Sequence, residues 1–336
     1  MRDERLLKEL TQLWGVAGFE KEVRKFIEKE AAPYGDEMYT DAMGNLIVYK
    51  KGTGGDRAKK IMYAAHMDEI GFMVKTIEED GRLRVCNLGW NWTSSAYNGR
   101  VQFKNGTKGV VSCVGSIEEA KNQVGKLYID IGATSREDAM KAVNLGDACG
   151  YMGEYLELMN DRICTKSLDD RIGCYQLLEA LKENDGCFND IYYVFCVQEE
   201  LGCRGSGPAA ERIRPDIGIA VDVTPAHDYP CDLEGSNKVD GGIGIKICDP
   251  SVVSDEDVVA AMLDCCEKNR IPCQREVIDK GGTDASSMNQ SGFGVRTGGI
   301  VVVTRYAHCQ SSVASKKDIE AGIDLINAFS RHEFDF

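Results

Sequence analysis

Long apolar runs are missing from this chain. Its longest aliphatic stretches are a few residues, against the roughly 20 needed to span a bilayer. The first residues, Met1-Arg2-Asp3-Glu4-Arg5, are charged and carry no signal-peptide core. The expected location is therefore the cytoplasm, with no membrane partner. Positive charge is also short: 40 Lys and Arg stand against 54 Asp and Glu, a formal net charge of −14. That argues against nucleic acid and anionic lipid, both of which need basic patches. No Cys-x-x-Cys occurs among the 14 cysteines. Many sit in apolar stretches, as Cys196 does in Tyr193-Val194-Phe195-Cys196-Val197. They read as reduced core residues rather than a disulfide framework. No internal repeat or low-complexity segment is visible, and histidine is rare, with four in the chain.

What is present is an ordinary globular composition, 43% hydrophobic and 28% charged, over 336 residues, enough for two or more domains. Helical spacing covers residues 3–13 and 20–30, and a hairpin is expected around Asp41-Ala42-Met43-Gly44. Ile61-Met62-Tyr63-Ala64-Ala65 reads as a buried strand leading into His66-Met67-Asp68. From about 73 to 160 the punctuation changes to short strands separated by Gly and Asn turns. One helix interrupts it, with Thr134 and Glu137 as a capping box. From Thr165 strands and helices alternate: a helix from near Asp169, strands at 191–197, 217–221, 243–248 and 299–304, and a last helix through Ile319, Ile323 and Ile326. The expected fold class is α/β, a mostly parallel sheet covered by helices on both faces. The expected domains are 1–72 with 161–336, and an inserted small β domain over 73–160.

Five places along the α/β part carry metal-type residues. They are His66 after its strand, Asp169-Asp170 at a helix start, Glu199-Glu200 after a strand, Asp222 after 217–221, and His308 after 299–304. Ligands of open α/β sheets bind at strand carboxyl ends, and four of the five places sit there. Two imidazoles with several carboxylates suit Zn²⁺, Co²⁺ or Mn²⁺. If one carboxylate bridges, two ions roughly 3.5–4 Å apart can be held. His66 and Asp68 lie on one side of an extended chain, so Asp68 can orient the imidazole. Glu199 and Glu200 are neighbours that point to opposite sides, so one can bind metal while the other faces water as a base. That geometry counts against a glycosidase pair, whose carboxyls flank one bond about 5–9.5 Å apart. His227 and His332 are expected on the surface. Gly281-Gly282-Thr283-Asp284 is a candidate substrate wall, because glycines let backbone come close.

Six motifs in this order resemble the M42 metallo-aminopeptidases, the glutamyl aminopeptidase and TET-peptidase group, some of whose members are labelled endoglucanase or cellulase M. They are Ala65-His66-Met67-Asp68-Glu69-Ile70-Gly71, Leu168-Asp169-Asp170-Arg171-Ile172-Gly173-Cys174, Val197-Gln198-Glu199-Glu200-Leu201-Gly202, Val221-Asp222-Val223, Gly281-Gly282-Thr283-Asp284-Ala285 and Arg305-Tyr306-Ala307-His308. The resemblance spans nearly the whole chain. It implies a zinc-exopeptidase-like fold with a PDZ-like inserted domain used for dimerisation, and a dimer that builds up to a dodecamer. It implies two divalent metal ions, Zn or Co. His66 and Asp222 would hold one ion, Glu200 and His308 the other, and Asp169 would bridge. Glu199 would be the general base and acid, and Asp68 would orient His66. Gly282, Thr283 and Asp284 stay the candidate substrate-binding residues, and the expected substrates are short peptides, cut at the N-terminal residue. After His308 the family usually has Ser-Pro and then Glu, where this chain has Cys309-Gln310-Ser311-Ser312. It also has Arg296 and Thr304 where members tend to have prolines. The rival readings are a carboxypeptidase or N-acyl amino acid deacylase on the same type of sheet, a metal-free scaffold, and a glucanase.

Overall fold

The computed structural model describes residues 1–231 and 234–336. A 12-stranded sheet forms the larger part. Its centre is the run of strands Asp190–Cys196, Lys60–His66, Ile217–Pro225 and Arg296–Arg305, each parallel to the next. These strands are buried on both faces, so they read as continuous apolar runs rather than alternating ones. Along Lys60–His66 the faces still separate with a period of two. Ile61, Tyr63 and Ala65 pack with helices Glu4–Gln12, Lys21–Ala31, Leu168–Glu183, Glu256–Asn269 and Lys316–Ser330. Met62 and Ala64 pack with helices Ser206–Ile213 and Ala285–Asn289.

The sheet is mixed, which corrects the expectation of a mostly parallel one. Both flanks are antiparallel: Glu37–Thr40 and Leu46–Lys50 on one side, Ser312–Ser315, Arg162–Thr165 and Leu156–Leu158 on the other. Ile243–Asp249 pairs antiparallel with Arg296–Arg305 and parallel with Cys273–Val277. Hairpins and returns at the edges need no crossover helix, so the alternation of elements describes only the middle.

Directly after His66–Ile70 the chain leaves the sheet. Six strands, Gly71–Ile77, Leu83–Leu88, Arg100–Phe103, Lys108–Cys113, Leu127–Asp130 and Ala148–Tyr151, close into an antiparallel barrel around its own apolar core. A closed six-stranded barrel is the description these strands support, and a PDZ-like likeness does not follow from it. At the neck, Gly71 lies opposite Gly150. A Cβ on Gly71 would sit 2.4 Å from the Cys149 carbonyl oxygen, so only glycine lets the two ends of the insertion run side by side.

Three local expectations are also revised. The short helix Arg136–Ala139 is capped by Ser135, whose hydroxyl accepts from the Asp138 N–H, and not by Thr134. His227 and His332 are half-buried rather than on the surface. Asp222 lies inside its strand, which continues to Pro225 because the next residues stay paired with Arg296–Arg305. Among the described residues no helix is long and apolar enough to cross a membrane.

Candidate metal centre

The central strands deliver their chemistry to one end of the sheet. His66 is the last residue of its strand and lies beside Cys196, so the turn after Cys196 brings Glu199 and Glu200 next to it. Asp68 fastens the two segments together. Its carboxylate accepts the backbone N–H of Glu199 and of Glu200, both at 3.1 Å. Its hold on His66 is partly through backbone: Nδ1 is 3.1 Å from the Asp68 carbonyl oxygen and 3.5 Å from its carboxylate.

Asp169 stands between the two imidazoles. Its Oδ1 is 3.0 Å from His66 Nε2, and its Oδ2 is 3.2 Å from His308 Nε2. The backbone there is not helical although it opens a helix: Asp169 and Asp170 have ψ of 109° and 43°, and their peptide bond is cis. Glu200 Oε1 lies 3.6 Å from His308 Nε2, while Asp222 Oδ1 and Glu199 Oε2 each lie 3.9 Å from His66 Nε2. His308 itself is turned by the barrel, since its Nδ1 is 2.7 Å from the carbonyl oxygen of Trp90. In the neutral ring, a nitrogen bonded to a carbonyl carries the proton and leaves Nε2 with its lone pair, the form a metal ligand needs.

The site is crowded with acid. Burial pushes Glu199 and Asp222 well above the ordinary carboxyl range; His66 opposes the rise in both, and neighbouring carboxylates add to it. Burial lifts Glu200 to about 7 against the pull of His308. Burial would raise Asp169 too, but hydrogen bonds to His308 and His66 hold it well below the usual range. Burial would lower His308, yet Glu200 and Asp169 carry it up to about 10. Two imidazoles cannot neutralise Asp68, Asp169, Asp170, Glu199, Glu200 and Asp222 in a shielded place, whereas divalent cations can. The donor set fits such ions. His66, Asp169 and Glu200 offer ligand atoms within 4.8 Å of one another, as do His66, Asp170 and Asp222.

Asp170 is the residue that sequence reasoning passed over. Its carboxylate accepts the His66 and Gly173 backbone N–H groups at 3.1 and 2.9 Å, which ties the strand end to the helix. The adjacent Asp169-Asp170 pair is the one trace of it in the sequence. Beneath it, buried Arg171 donates to the carbonyls of Leu10 and Met67, and Lys166 donates to Glu69 at 2.7 Å.

A cleft of about 330 Å³ opens over these groups. Gly282 and Thr283 line it with Val223, Ile278, Lys246 and Lys280. Asp284 does not line it: the residue is 2% exposed, and its carboxylate accepts the Ser206 hydroxyl at 2.5 Å. A larger groove, about 760 Å³ between Tyr39, Tyr49, Tyr192 and Arg212, holds none of the residues around His66.

The family model described as M42 glutamyl aminopeptidase matches residues 44–325. The chain belongs to this family. The M42 chain is thus an aminopeptidase-family hydrolase, and the match runs across both the sheet and the barrel. A second family model, described as AMPT, matches residues 2–26. A lysyl aminopeptidase of Pyrococcus furiosus is 35% identical over 351 residues, covering 98% of this chain and 96% of its own. The aminopeptidase APDkam598 of the archaeon Desulfurococcus kamchatkensis has the same fold at a TM-score of 0.92 with 34% identity, covering 98% of this chain and 94% of that one. The Pyrococcus horikoshii TET1 peptidase, described as able to assemble into a tetrahedron or a large octahedral shell, matches at a TM-score of 0.85 and 29% identity over 99% of both chains.

Proposed function

We propose that this M42 peptidase is a metal-dependent aminopeptidase that removes N-terminal residues from short peptides at a dinuclear site. The observation that supports it most is the Asp169 carboxylate, with one oxygen at each imidazole. In this reading His66 and Asp222 would hold one divalent cation, Glu200 and His308 the other, with Asp169 shared between them; Zn²⁺ and Co²⁺ suit the nitrogen and oxygen donors. When bound, such ions lower the pKa of a shared water and polarise the scissile carbonyl. Glu199 would take a proton from the attacking water and pass it to the leaving amine. Asp68 holds the Glu199-Glu200 backbone and the ring of His66 in register. Gly282 and Thr283 form the substrate wall; Asp284 acts on it from behind, through Ser206.

The domain division of 1–72 with 161–336 as catalytic part and 73–160 as a dimerisation unit belongs to the same proposal, with the barrel in the role expected of a PDZ-like domain. So do a homo-oligomer in solution, up to a dodecamer, and a reducing cytoplasm. Cysteines other than Cys231 carrying free thiols are consistent with that compartment.

The test is turnover of aminoacyl-anilides by metal-loaded parent and by Glu199→Gln. The variant is expected to lose about 10³-fold in kcat, within the range for a general base, with unchanged metal content. Parent-like turnover would remove Glu199 from the role. One observation favours a second reading, a carboxypeptidase or deacylase: the exposed ammonium of Lys280 on the cleft wall could take a substrate carboxylate. Substrates blocked at one terminus or the other separate the two. The aminopeptidase reading requires a free α-amine and tolerates a blocked carboxylate.

A further inference from the structure

The turn that carries Glu199 and Glu200 folds back on itself. The N–H groups of Gly202 and Cys203 both donate to the Glu199 carbonyl, at 2.7 and 2.8 Å. Closing it takes positive φ at Gln198, Gly202 and Cys203, +55°, +104° and +52°. Only the glycine adopts that region freely. The result is that the Cys203 side chain returns to the cleft beside the base. Its Sγ lies 3.1 Å from Glu199 Oε1, while Oε2 of the same carboxylate faces His66. On the other side of the sulfur, Ser286 Oγ is 3.8 Å away and donates to the Thr283 carbonyl at 3.0 Å. The Thr283 hydroxyl, in a residue 2% exposed, has no partner among the described residues. The sulfur is thus part of a built wall that runs from the base to the unpartnered hydroxyl of the substrate face.

A glutamate carboxylate turns easily about its last bond, where the torsion is broad and two-fold. A base that must face one water needs something to stop that rotation. Among the described residues the Cys203 thiol is the side chain that hydrogen-bonds to Glu199. We propose that Cys203 is a positioning residue for the general base: its thiol donates to Oε1 and so fixes Oε2 as the oxygen presented toward His66 and the attacking water. This rests on the role proposed for Glu199. Burial, then the charges of Glu199 and Asp284, push the thiol far up, so it is a held proton donor and not a nucleophile.

The test compares Cys203→Ala and Cys203→Ser with the parent and with Glu199→Gln, all loaded with Co²⁺. The readouts are kcat, KM, the cobalt absorption spectrum and bound metal per chain. Cys203→Ala is expected to lose about tenfold in kcat, the size of one modest hydrogen bond, with KM, spectrum and metal content unchanged. Cys203→Ser keeps a donor and is expected to recover to within about threefold of the parent. An alanine variant with parental kcat overturns the proposal. So does a serine variant as slow as the alanine one, or a changed cobalt spectrum in either. If Glu199→Gln is itself as active as the parent, the role of the base fails first, and the two failures are told apart.

Discussion

The sheet and the barrel handle charge in opposite ways. Between residues 71 and 151 the buried polar side chains are Asn91 and Thr93, and no charged residue is buried. The sheet region buries His66, Asp68, Glu69, Lys166, Asp170, Arg171, Asp222, Lys246 and Glu276. A small barrel needs only apolar filling to close. The sheet carries the cost of burying charges, and it does so where the strand ends meet. The barrel meets these groups through the loop at Gly89 and Trp90, next to its two buried polar residues, and through Tyr151, which lines a pocket with Asp169, Glu200 and His308. The end proposed to be reactive is thus built by the sheet, and the insertion touches it where the Trp90 carbonyl meets His308 Nδ1.

The largest effect that sharpens this contrast is on stability. Arg171→Met takes the side-chain donor from the buried Met67 carbonyl, leaves the Leu10 carbonyl only the Leu13 N–H at 3.3 Å, and removes a cation near Glu69, 3.7 Å away. It is expected to cost about 3–5 kcal/mol. In the barrel, Arg84→Met breaks a pair with Glu78 that is partly exposed and should cost under about 1 kcal/mol. Denaturant unfolding of the two variants measures both. Equal losses would erase the distinction.

The second effect is on metal affinity and pH. Glu200 is lifted to about 7 and His308 to about 10. Both groups bind metal only without their protons, and both hold those protons more tightly than usual. Affinity is therefore lost as pH falls through 10 toward 7, by up to about tenfold per unit for each proton displaced, and binding at pH 8 releases protons. Calorimetry in buffers of different ionisation enthalpy reads that release. A pH-independent isotherm across this window contradicts the crowded-acid account.

A smaller effect isolates the barrel loop. Gly89 has φ of +76°, and a Cβ there would lie 2.7 Å from Ile70 Cγ2 and 2.9 Å from Glu200 Oε2. Gly89→Ala is expected to cost about 1–2 kcal/mol and to weaken metal binding several-fold. Trp90→Ala removes a side chain that is 60% exposed and keeps the carbonyl that His308 uses. Its stability should stay within about 0.5 kcal/mol of the parent.

Much of this was legible in the chain, and the limits have physical causes. His66, Asp169, Glu199, Glu200 and His308 stand where local pattern changes, at the ends of apolar strands or the start of a helix, and such edges can be read residue by residue; Asp222 shows instead as a charge that interrupts an apolar run. Strand direction cannot, because it is set by pairing between distant segments; the flanks at Ser312–Ser315 and Arg162–Thr165 look like their parallel neighbours until register is known. Closure of the barrel is hidden for the same reason. The Trp90 carbonyl leaves no side-chain trace in the sequence at all. Cys203 reaches Glu199 only because Gln198, Gly202 and Cys203 adopt positive φ, and Asp284 turns inward to Ser206 although Gly282 and Thr283 line the cleft.

One end of the sheet is proposed to hold a pair of cations around a shared carboxylate. The most direct test is the number and position of Co²⁺ ions per chain, from elemental analysis of equilibrated protein together with anomalous scattering from its crystals. Two ions are expected, both touching Asp169, one on the His66 side and one on the His308 side. A single ion, or ions held away from these two imidazoles, would contradict it.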